Sequence, residues 1–498
     1  MNILLISPPV FDFYSTSHRM EPLGLLYIKK ALLNAGHSVD IYDATASGKV
    51  KKQKLPEEFQ YLATYYEEDH SPFSLHSGYK RFGDSFTKIC EFIIKGKYDI
   101  IGISSLFSAY HPDVENLVSE IKNVFSNPVV IGGTAIGAQK ELLGKETNAD
   151  YLIYGCGTVS MVQFADAVSG KIHFSEVAGL IYKENGEVFI NKPSIESAWT
   201  GGIIPQREDF RIYKKKKIAK TVFSSGCKNK CSFCSIHRAN VFERRDISHI
   251  KKELEYLLKL GVQIVDIEDD DIFSDTEFAI ELIELLKHFH KLGLEFTAMN
   301  GLTAKNIVHI ADKLSDAGFI KLDLSLVSGS GKVSSELNRP HGLSEIEAIN
   351  KAVNGKIEIE VFLIPGLPGT SLQNTLETML RLHKMGIKCG LSPLYLVPGV
   401  PMFEKTGIPE NLRLCRGSAI YPFNENERAD IAALLKISRF LNYLLSGKND
   451  GDAENSKYFQ RSILRKQWFK KSLNGEWSDS FTFSEDFSKP IITLTQIL

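Results

Sequence analysis

The chain has 498 residues, of which 43% are hydrophobic and 24% are charged, and its formal net charge at pH 7 is −1. These values are ordinary for a globular protein of two or three domains, and they exclude disorder, collagen and coiled coil as the main state. The near-zero charge gives no global attraction to nucleic acid or an anionic membrane, and no apolar run reaches the roughly 18 residues that span a bilayer. No basic region precedes the first apolar run, so we expect no signal peptide and a cytoplasmic location.

Short apolar runs alternate with helical patterns over residues 1–192. Strands are predicted at residues 3–7, 39–42, 99–104, 129–132 and 151–154, with a helix at 23–33. Because this alternation is typical of βαβ units, we predict an α/β fold with a doubly wound, mainly parallel, Rossmann-like sheet. Residues 46–90 interrupt the alternation with polar and aromatic residues, and we interpret them as an insertion or lid.

A second alternating region follows a predicted linker at residues 193–218, whose basic run at 214–217 is typical of a solvated face. Its strands are predicted at residues 221–224, 263–267, 295–298, 321–326, 358–364 and 391–396. Six β/α repeats predict a partial (β/α)6 barrel over residues 219–410, with active groups at the carboxyl ends of the strands. Residues 411–498 are predicted to be a small, mostly helical region that shapes substrate specificity, with a flexible linker at 448–456 and a cap containing Trp468 and Trp477.

Three of the seven cysteines, Cys227, Cys231 and Cys234, lie on one short segment after the first predicted barrel strand. The odd number of cysteines in a large chain argues against a disulfide framework. Three soft thiolates can hold zinc, copper(I) or an iron–sulfur cluster, and a zinc site could take His237 as its fourth ligand. The position at the start of a β/α array favours a four-iron cluster, in which three cysteines leave one iron free to bind a substrate.

The segment from Cys227 to Cys234 resembles the signature of the radical S-adenosylmethionine (SAM) superfamily, in which an aromatic residue, here Phe233, precedes the last cysteine. The resemblance implies a [4Fe-4S] cluster whose free iron binds the amino and carboxylate groups of SAM. It also implies that one electron cleaves SAM to methionine and a 5′-deoxyadenosyl radical, which takes hydrogen from a substrate. An electron donor such as a flavodoxin or ferredoxin would supply that electron.

Four later segments, at residues 265–270, 324–329, 364–370 and 394–401, resemble other SAM-binding elements of the superfamily. Together with Phe233, the residues that the resemblance implies for SAM binding are Glu268, Asp269, Ser325, Ser328, Gly366 and Leu396. A carboxylate facing the SAM ammonium would form charge-assisted hydrogen bonds, whereas a helix cap or an exposed acidic turn is the alternative for any one acid. Arg244 and Arg245 lie where the superfamily often has arginine, and a plain surface position is their alternative.

The N-terminal half is similar to the cobalamin-binding domain of one large radical SAM subgroup. The residues that this similarity implies for cobalamin binding are Pro8, Leu23, Gly24, Ser104, Ser105, Gly132, Gly133, Gly155 and Gly157. The Asp-x-His-x-x-Gly element that provides a histidine ligand to cobalt elsewhere is absent, so no ligand from that histidine is expected. Cys156 and Thr158 replace acids of the subgroup pattern, and a scaffold that no longer binds cobalamin is the alternative.

These features predict a cobalamin-dependent radical SAM methyltransferase that acts on an unactivated carbon of a small molecule or peptide. The alternative is a radical SAM cyclase, oxidoreductase or rearrangement enzyme with the same domains. A second cluster of the methylthiotransferase kind is not expected, because the remaining cysteines are scattered: Cys90, Cys156, Cys389 and Cys415. The neutral charge disfavours a nucleic-acid substrate, no membrane partner is expected, and a non-enzymatic cofactor-based sensor is the binding-module alternative.

Overall fold

The computed structural model describes residues 1–16, 20–66, 75–76, 78–194, 202–235, 242–339, 342–400, 402, 411–446, 480–481 and 492–493. Two seven-stranded sheets organise these residues, one in each half of the chain. Among the helices of this described part, none is long and apolar enough to cross a membrane.

The N-terminal sheet is doubly wound, as predicted. The strands of this half are β1 (Asn2–Ser7), β2 (Val10–Asp12), β3 (Ser38–Asp43), β4 (Val50–Lys52), β5 (Lys80–Phe82), β6 (Ile100–Ser104), β7 (Val129–Gly132), β8 (Tyr151–Ile153), β9 (Leu180–Glu184) and β10 (Glu187–Ile190). The sheet order is β10-β9-β8-β7-β6-β1-β3, with β3, β1, β6, β7 and β8 parallel. Because the strand order reverses between β1 and β6, a ligand crevice is expected beyond their carboxyl ends.

Helices cover both faces of this sheet. They are α1 (Leu23–Asn34), α2 (Phe86–Lys95), α3 (His111–Lys122), α4 (Thr134–Gly137), α5 (Lys140–Glu146) and α6 (Gly157–Val168). Alternation along β1 sends Leu4 and Ile6 into one buried core and Ile3 and Leu5 into the other. A strand with apolar residues on both faces is typical of a parallel sheet between two helical layers.

The predicted insertion is partly a small sheet of its own. It contributes β4 and β5, which pair antiparallel with each other and, through β5, with β2, and it contains a short 3-10 helix at Glu57–Leu62. The predicted range of 46–90 extends too far, because α2 starts at Phe86 and packs into the core of the doubly wound sheet. Its start is set by Ser85, whose side chain accepts a hydrogen bond from the Lys88 amide.

The second sheet is the predicted partial barrel. Its half of the chain contains β11 (Arg211–Tyr213), β12 (Lys216–Thr221), β13 (Ser224–Ser225), β14 (Glu243–Arg244), β15 (Ile264–Ile267), β16 (Glu295–Leu302), β17 (Phe319–Val327), β18 (Glu358–Leu363) and β19 (Lys388–Leu391). The order is β11-β12-β15-β16-β17-β18-β19, in which all strands except β11 are parallel. Lys214, in the turn between β11 and β12, lies 3.0 Å from Glu358 of β18, so the sheet is curled.

Helices cover the outside of this sheet, and the apolar faces of all but α11, whose Val333 belongs to a separate cluster, join one large buried core. They are α7 (Ile247–Lys259), α8 (Thr276–Lys291), α9 (Ala304–Ile307), α10 (Ala311–Leu314), α11 (Gly331–Glu336), α12 (Leu343–Val353) and α13 (Leu372–Lys384).

Two barrel strands lie outside their predicted ranges. The first, β12, ends at Thr221 instead of starting there, so the segment predicted as a linker contains β11 and most of β12. The basic run is the turn of this hairpin, since Lys214 and Lys215 have positive φ angles of 48° and 66°. The last strand ends at Leu391, because Pro393 in the predicted range lacks the N–H group that a strand donates.

In the C-terminal region, two short 3-10 helices, at Leu412–Leu414 and Gly417–Ala419, precede α14 (Glu425–Leu445), which covers the last barrel strand. The Asn442 side chain accepts a hydrogen bond from the Cys389 amide and donates one to the Cys389 carbonyl, both at 2.9 Å. A short strand pair, β20 (Ser480–Phe481) with β21 (Ile492–Thr493), is also described. The predicted linker at 448–456 and the cap around Trp468 and Trp477 lie outside the described residues.

Candidate active site

The cysteine segment follows β12 and is held by the acids that follow β15. These two strands are parallel neighbours, with Thr221 opposite Ile267, so their carboxyl ends lie side by side. The buried Asp269 carboxylate accepts hydrogen bonds from the amides of Phe223 and Ser224 and from the Ser224 hydroxyl. Because both oxygens are engaged in this way, Asp269 anchors the chain leading into the cysteines, and its predicted contact with SAM stays a prediction.

The next two acids hold the segment further along. The Asp270 carboxylate accepts a hydrogen bond from the Gly226 amide at 3.0 Å. Asp271 accepts from the Asn229 side chain at 3.2 Å and from that of Asn306 at 2.8 Å. Burial raises the pKa of Asp269 to about 7 and raises that of Asp271, so hydrogen bonds in this position compensate a costly desolvation.

Cys231 is buried, and Arg339 joins it to the barrel. One Arg339 nitrogen lies 3.5 Å from the Cys231 Sγ, and another donates to the Ser325 carbonyl in β17 at 3.3 Å. The Cys227 Sγ accepts from the Asn229 amide at 3.4 Å, and burial raises the pKa of this thiol to about 11. Arg339 was not singled out in the sequence, because it lies 108 positions from Cys231 and approaches the sulfur only in the folded chain. Asn229 was also missed, although this contact is local, since Asn229 is two residues from Cys227.

The chemistry of these donors fits an iron–sulfur cluster. In the described ranges, no three Cys, His, Asp or Glu side chains are arranged closely enough to bind a metal ion. His237 lies outside those ranges. The fit rests on three free thiols on one short segment, which soft metals prefer and which must lose their protons on ligation. N–H groups of Asn229 and Arg339 already approach two of the sulfurs, as the surroundings of a thiolate-bound cluster require.

Several residues predicted to bind SAM come together beside the cysteines. Phe233 packs on a buried cluster formed by Val327, Val333, Leu337, Leu367 and Leu394. Ser325 ends the regular part of β17, and the Ser328 hydroxyl accepts from the Ser330 amide at 3.1 Å. At Gly366, with φ of +88°, an added Cβ would lie 2.3 Å from the Phe423 ring, so this turn requires glycine.

Glu268 lies at the carboxyl end of β15, where its side chain pairs with Lys220 of β12 at 3.0 Å. Asp266, two residues earlier on the same face, accepts from the Thr297 hydroxyl at 2.7 Å. Burial and the neighbouring Glu268 raise the pKa of Asp266 to about 7. The inner surface of the barrel is therefore polar next to the predicted SAM site.

The residues predicted to bind cobalamin share one edge of the N-terminal sheet. Pro8, Ser105, Gly133 and Gly155 follow the carboxyl ends of β1, β6, β7 and β8, with Ser104 and Gly132 as the last residues of β6 and β7. Leu23 and Gly24 form the first turn of α1, and Gly24 has open space around the position of a Cβ. Parallel topology thus collects these residues at the edge where a ligand is expected.

Two glycines at this edge have different roles. Gly133 has a φ of +131°, and a Cβ there would lie 2.2 Å from the Ser105 carbonyl oxygen, so the turn after β7 depends on glycine. A Cβ on Gly157 would lie 2.8 Å from Ile28, so this glycine lets α6 pack closely on α1. Cys156, where the subgroup has an acid, has its Sγ 3.1 Å from the Thr158 hydroxyl.

The two predicted cofactor edges meet. Ala109, shortly after β6, packs in one buried cluster with Leu396 and Val400, which follow the last barrel strand, and with Cys415. Arg416 donates to the carbonyls of Phe11 at 2.7 Å and Ala109 at 2.6 Å. The segment after the barrel thereby holds the carboxyl edge of the N-terminal sheet against the carboxyl end of the barrel.

Exposed aromatic residues lie near this junction. The Tyr14 ring is 54% exposed and stacks on His76 with centroids 4.7 Å apart. Tyr395 is 39% exposed as a whole residue, whereas burial of its hydroxyl, together with the nearby Tyr14 and Cys234, raises the pKa of that hydroxyl. Leu106 and Phe107, which follow Ser105, are also exposed. The sequence did not single out these residues, because isolated apolar side chains form no recognisable pattern. Only the folded chain brings them to one place.

Two family models match the chain, one for the radical SAM superfamily at residues 221–382 and one for the B12-binding domain at residues 14–165. The chain is a radical SAM enzyme with a B12-binding domain. The two domains confirm the predicted fold class and the predicted cofactors, which are a [4Fe-4S] cluster with SAM in one domain and cobalamin in the other.

Two curated proteins are similar to this radical SAM enzyme. The uncharacterized methyltransferase PH0819 of Pyrococcus horikoshii is 24% identical over 400 residues, which cover 77% of this chain and 84% of that protein. The anaerobic magnesium-protoporphyrin IX monomethyl ester cyclase of Synechocystis sp. is 22% identical over 325 residues, which cover 63% of this chain and 58% of the cyclase.

Solved radical SAM structures share the fold. The methyltransferase TsrM from Kitasatospora setae, with tryptophan substrate and a SAM analogue bound, is 16% identical, with a TM-score of 0.64 over 85% of this chain and 83% of that one. The cobalamin-dependent enzyme OxsB, with aqua-cobalamin bound, is 13% identical, with a TM-score of 0.62 over 96% of this chain and 77% of that one.

Proposed function

We propose that this radical SAM enzyme is a cobalamin-dependent methyltransferase that acts on an unactivated carbon of a small molecule or peptide. The observation that carries the proposal is the junction at which Ala109, beside the cobalamin edge, packs on Leu396, beside the SAM edge. A substrate held there would face both cofactors. The names of PH0819 and TsrM, both methyltransferases, support the same reaction class.

When bound, SAM with the cluster supplies a hydrogen-abstracting radical, and cobalamin supplies a methyl group. The reaction as a whole balances with two SAM molecules and two electrons from a donor such as a flavodoxin or ferredoxin. The substrate C–H bond is replaced by C–CH3, and S-adenosylhomocysteine, methionine and 5′-deoxyadenosine are released. The abstracted hydrogen ends on 5′-deoxyadenosine, and the methyl group comes from the SAM that becomes S-adenosylhomocysteine.

The residues of this chain position and shield the reactants. Asp269 and Asp270 hold the backbone before the cysteines, and Arg339 holds Cys231 against β17. Tyr395 offers aromatic surface near Cys234, with Tyr14 close to Tyr395, and an apolar substrate there would exclude water. Glu268 is the acid that we expect to face the SAM ammonium, because it lies at the carboxyl end of β15.

A second function has one specific observation in its favour. The Synechocystis relative is named a cyclase, which is the reaction class of the alternative. A cyclase would form 5′-deoxyadenosine but would transfer no methyl group, so S-adenosylhomocysteine separates the two functions.

The test is anaerobic reconstitution with iron, sulfide and hydroxocobalamin, followed by incubation with SAM carrying a CD3 group and a chemical reductant. We expect both 5′-deoxyadenosine and S-adenosylhomocysteine, and a CD3 group on cobalamin detected by mass spectrometry. A Cys231→Ala variant should form no 5′-deoxyadenosine. Formation of 5′-deoxyadenosine without S-adenosylhomocysteine or labelled cobalamin would instead support the cyclase class.

A further inference from the structure

A buried cluster of four charged side chains joins the start of α1 to the first barrel strand. Glu21 precedes α1, Arg207 precedes β11, Arg245 precedes α7, and Glu253 lies within α7. Their side chains are 8%, 0%, 1% and 0% exposed, respectively. Two positive and two negative charges balance, which is the condition under which charged groups are tolerated inside a protein.

Glu21 contacts the barrel through both of its carboxylate oxygens. One oxygen lies 2.9 Å from the Arg207 Nε, and the other accepts a hydrogen bond from the Lys220 backbone amide at 2.6 Å. Arg207 also donates to the Lys220 carbonyl, so the same residue of β12 is held on both sides. Charge-assisted hydrogen bonds of this kind fix geometry as well as adding stability.

The remaining members leave the cluster little freedom to rearrange. Arg207 lies 3.4 Å from one Glu253 oxygen, and Arg245 lies 2.5 Å from the other. Arg245 also lies 3.4 Å from the hydroxyl of Tyr27, which is in α1. Removing one charge would leave another buried without compensation, so the domains are held in one arrangement.

The cluster adjoins residues of both predicted cofactor sites. Leu23 and Gly24, which are predicted to contact cobalamin, follow Glu21 directly after Pro22. On the barrel side, Lys220 pairs with Glu268, and its strand leads into the cysteine segment. We propose that Glu21 is a positioning residue that sets the distance between cobalamin and the [4Fe-4S] cluster. The effect on turnover rests on the proposed function, whereas the effect on domain coupling does not.

The test compares Glu21→Gln with Glu208→Gln. The control removes a carboxylate that contacts α1 in the same region, but the Glu208 side chain is 69% exposed and pairs with Lys29 at 2.8 Å. In calorimetry without added cofactors, wild type and Glu208→Gln should unfold in one transition. Glu21→Gln should show two, because the N-terminal domain and the barrel then unfold separately.

In the reconstituted enzyme, the magnetic interaction between cob(II)alamin and the reduced cluster, read from electron paramagnetic resonance, should weaken in Glu21→Gln. The amount of 5′-deoxyadenosine formed per methyl group transferred should rise by about 100-fold, since a displacement of about 1 Å can cost that much in rate. Glu208→Gln should match wild type in both measurements.

A single transition together with unchanged magnetic interaction in Glu21→Gln would overturn the proposal. If that variant does not fold, Glu21→Asp retains the charge on a shorter side chain and should keep one transition while changing the magnetic interaction; an unchanged interaction would count against the proposal. If neither the wild type nor any variant transfers methyl groups, the proposed function fails. Calorimetry and electron paramagnetic resonance then still decide the role of Glu21.

Discussion

At the scale of single residues, the acids after β15 act on the cysteine segment and only indirectly on a ligand. Asp269, Asp270 and Asp271 each accept hydrogen bonds from a different part of the segment between Phe223 and Asn229. A consecutive acidic run in a sequence can be an exposed turn, a metal site or a ligand contact. For Asp269 and Asp270 the structure decides between these alternatives, because their carboxylates accept hydrogen bonds from buried backbone amides, and an amide that is removed from water needs an acceptor.

Replacing Asp269 with Asn should loosen the cysteine segment. The amide group keeps one acceptor but presents a donor to backbone N–H groups, so we expect a loss of about 2 kcal/mol in the free energy of unfolding. Iron and sulfide retained after anaerobic reconstitution should fall as well. Denaturant unfolding and iron analysis test this, with Asp312→Asn on the exposed face of α10 as the control. Wild-type stability and iron content in Asp269→Asn would contradict the prediction.

At the scale of elements, the curled sheet places charges from distant strands together. Glu358 at the start of β18 lies 3.0 Å from Lys214 in the β11–β12 turn and 2.9 Å from Lys388 in β19. Partial burial opposes its ionisation, but hydrogen bonds from Lys388 and Lys214 dominate and lower the pKa of Glu358 to about 2. The basic run at 214–217 is therefore largely exposed, as the sequence predicts, while its Lys214 also pairs with a distant strand of the barrel.

Glu358 should make stability depend on pH in the acid range. Because its pKa is lower in the folded than in the unfolded protein, its contribution is complete above the unfolded value of about 4.3 and is lost as pH falls toward 2. We expect Glu358→Gln to be about 1 kcal/mol less stable than wild type at pH 7, with solvent screening already allowed for, and the difference to shrink below pH 4. Urea unfolding at several pH values measures it. A difference that stays constant between pH 7 and 3 would rule this out.

At the scale of the whole molecule, the segment after the barrel joins both domains. Arg416, whose side chain is 5% exposed, donates to two carbonyls of the N-terminal domain and lies 3.5 Å from Asp12. Ser418 donates to the same carboxylate at 2.7 Å. Like the Glu21 cluster, this network is a buried polar contact between the two domains.

Arg416→Lys should weaken this second contact. An ammonium cannot reproduce the two fixed donor directions of a guanidinium, so at least one carbonyl is left unsatisfied. We expect a loss of about 2 kcal/mol in the free energy of unfolding. Arg381→Lys, on the exposed side of α13, is the control and should leave stability unchanged. Equal denaturation midpoints for the two variants would show that Arg416 does not contribute in this way.

Local patterns were sufficient for the fold class and for the cysteine segment. Apolar runs such as residues 129–132 became strands with the predicted bounds, because a strand buried on both faces needs little beyond its own side chains to be recognised. Cysteine spacing indicates cluster chemistry within a few residues, without reference to the rest of the chain. The last barrel strand was misplaced because its pairing with β18, and not its own composition, decides where it begins.

Contacts between residues that are far apart in the sequence could be identified only from the folded structure. Arg339 approaches Cys231, Glu21 approaches Lys220, and Arg416 approaches Phe11, although each pair is separated by more than a hundred positions. Nothing in the local sequence distinguishes these side chains from surface charges. The amino-acid sequence by itself therefore determined which chemistry the chain carries. The tertiary structure decided how the two cofactor domains are held together, because each charge that the fold buries needs a partner of opposite charge or a hydrogen bond.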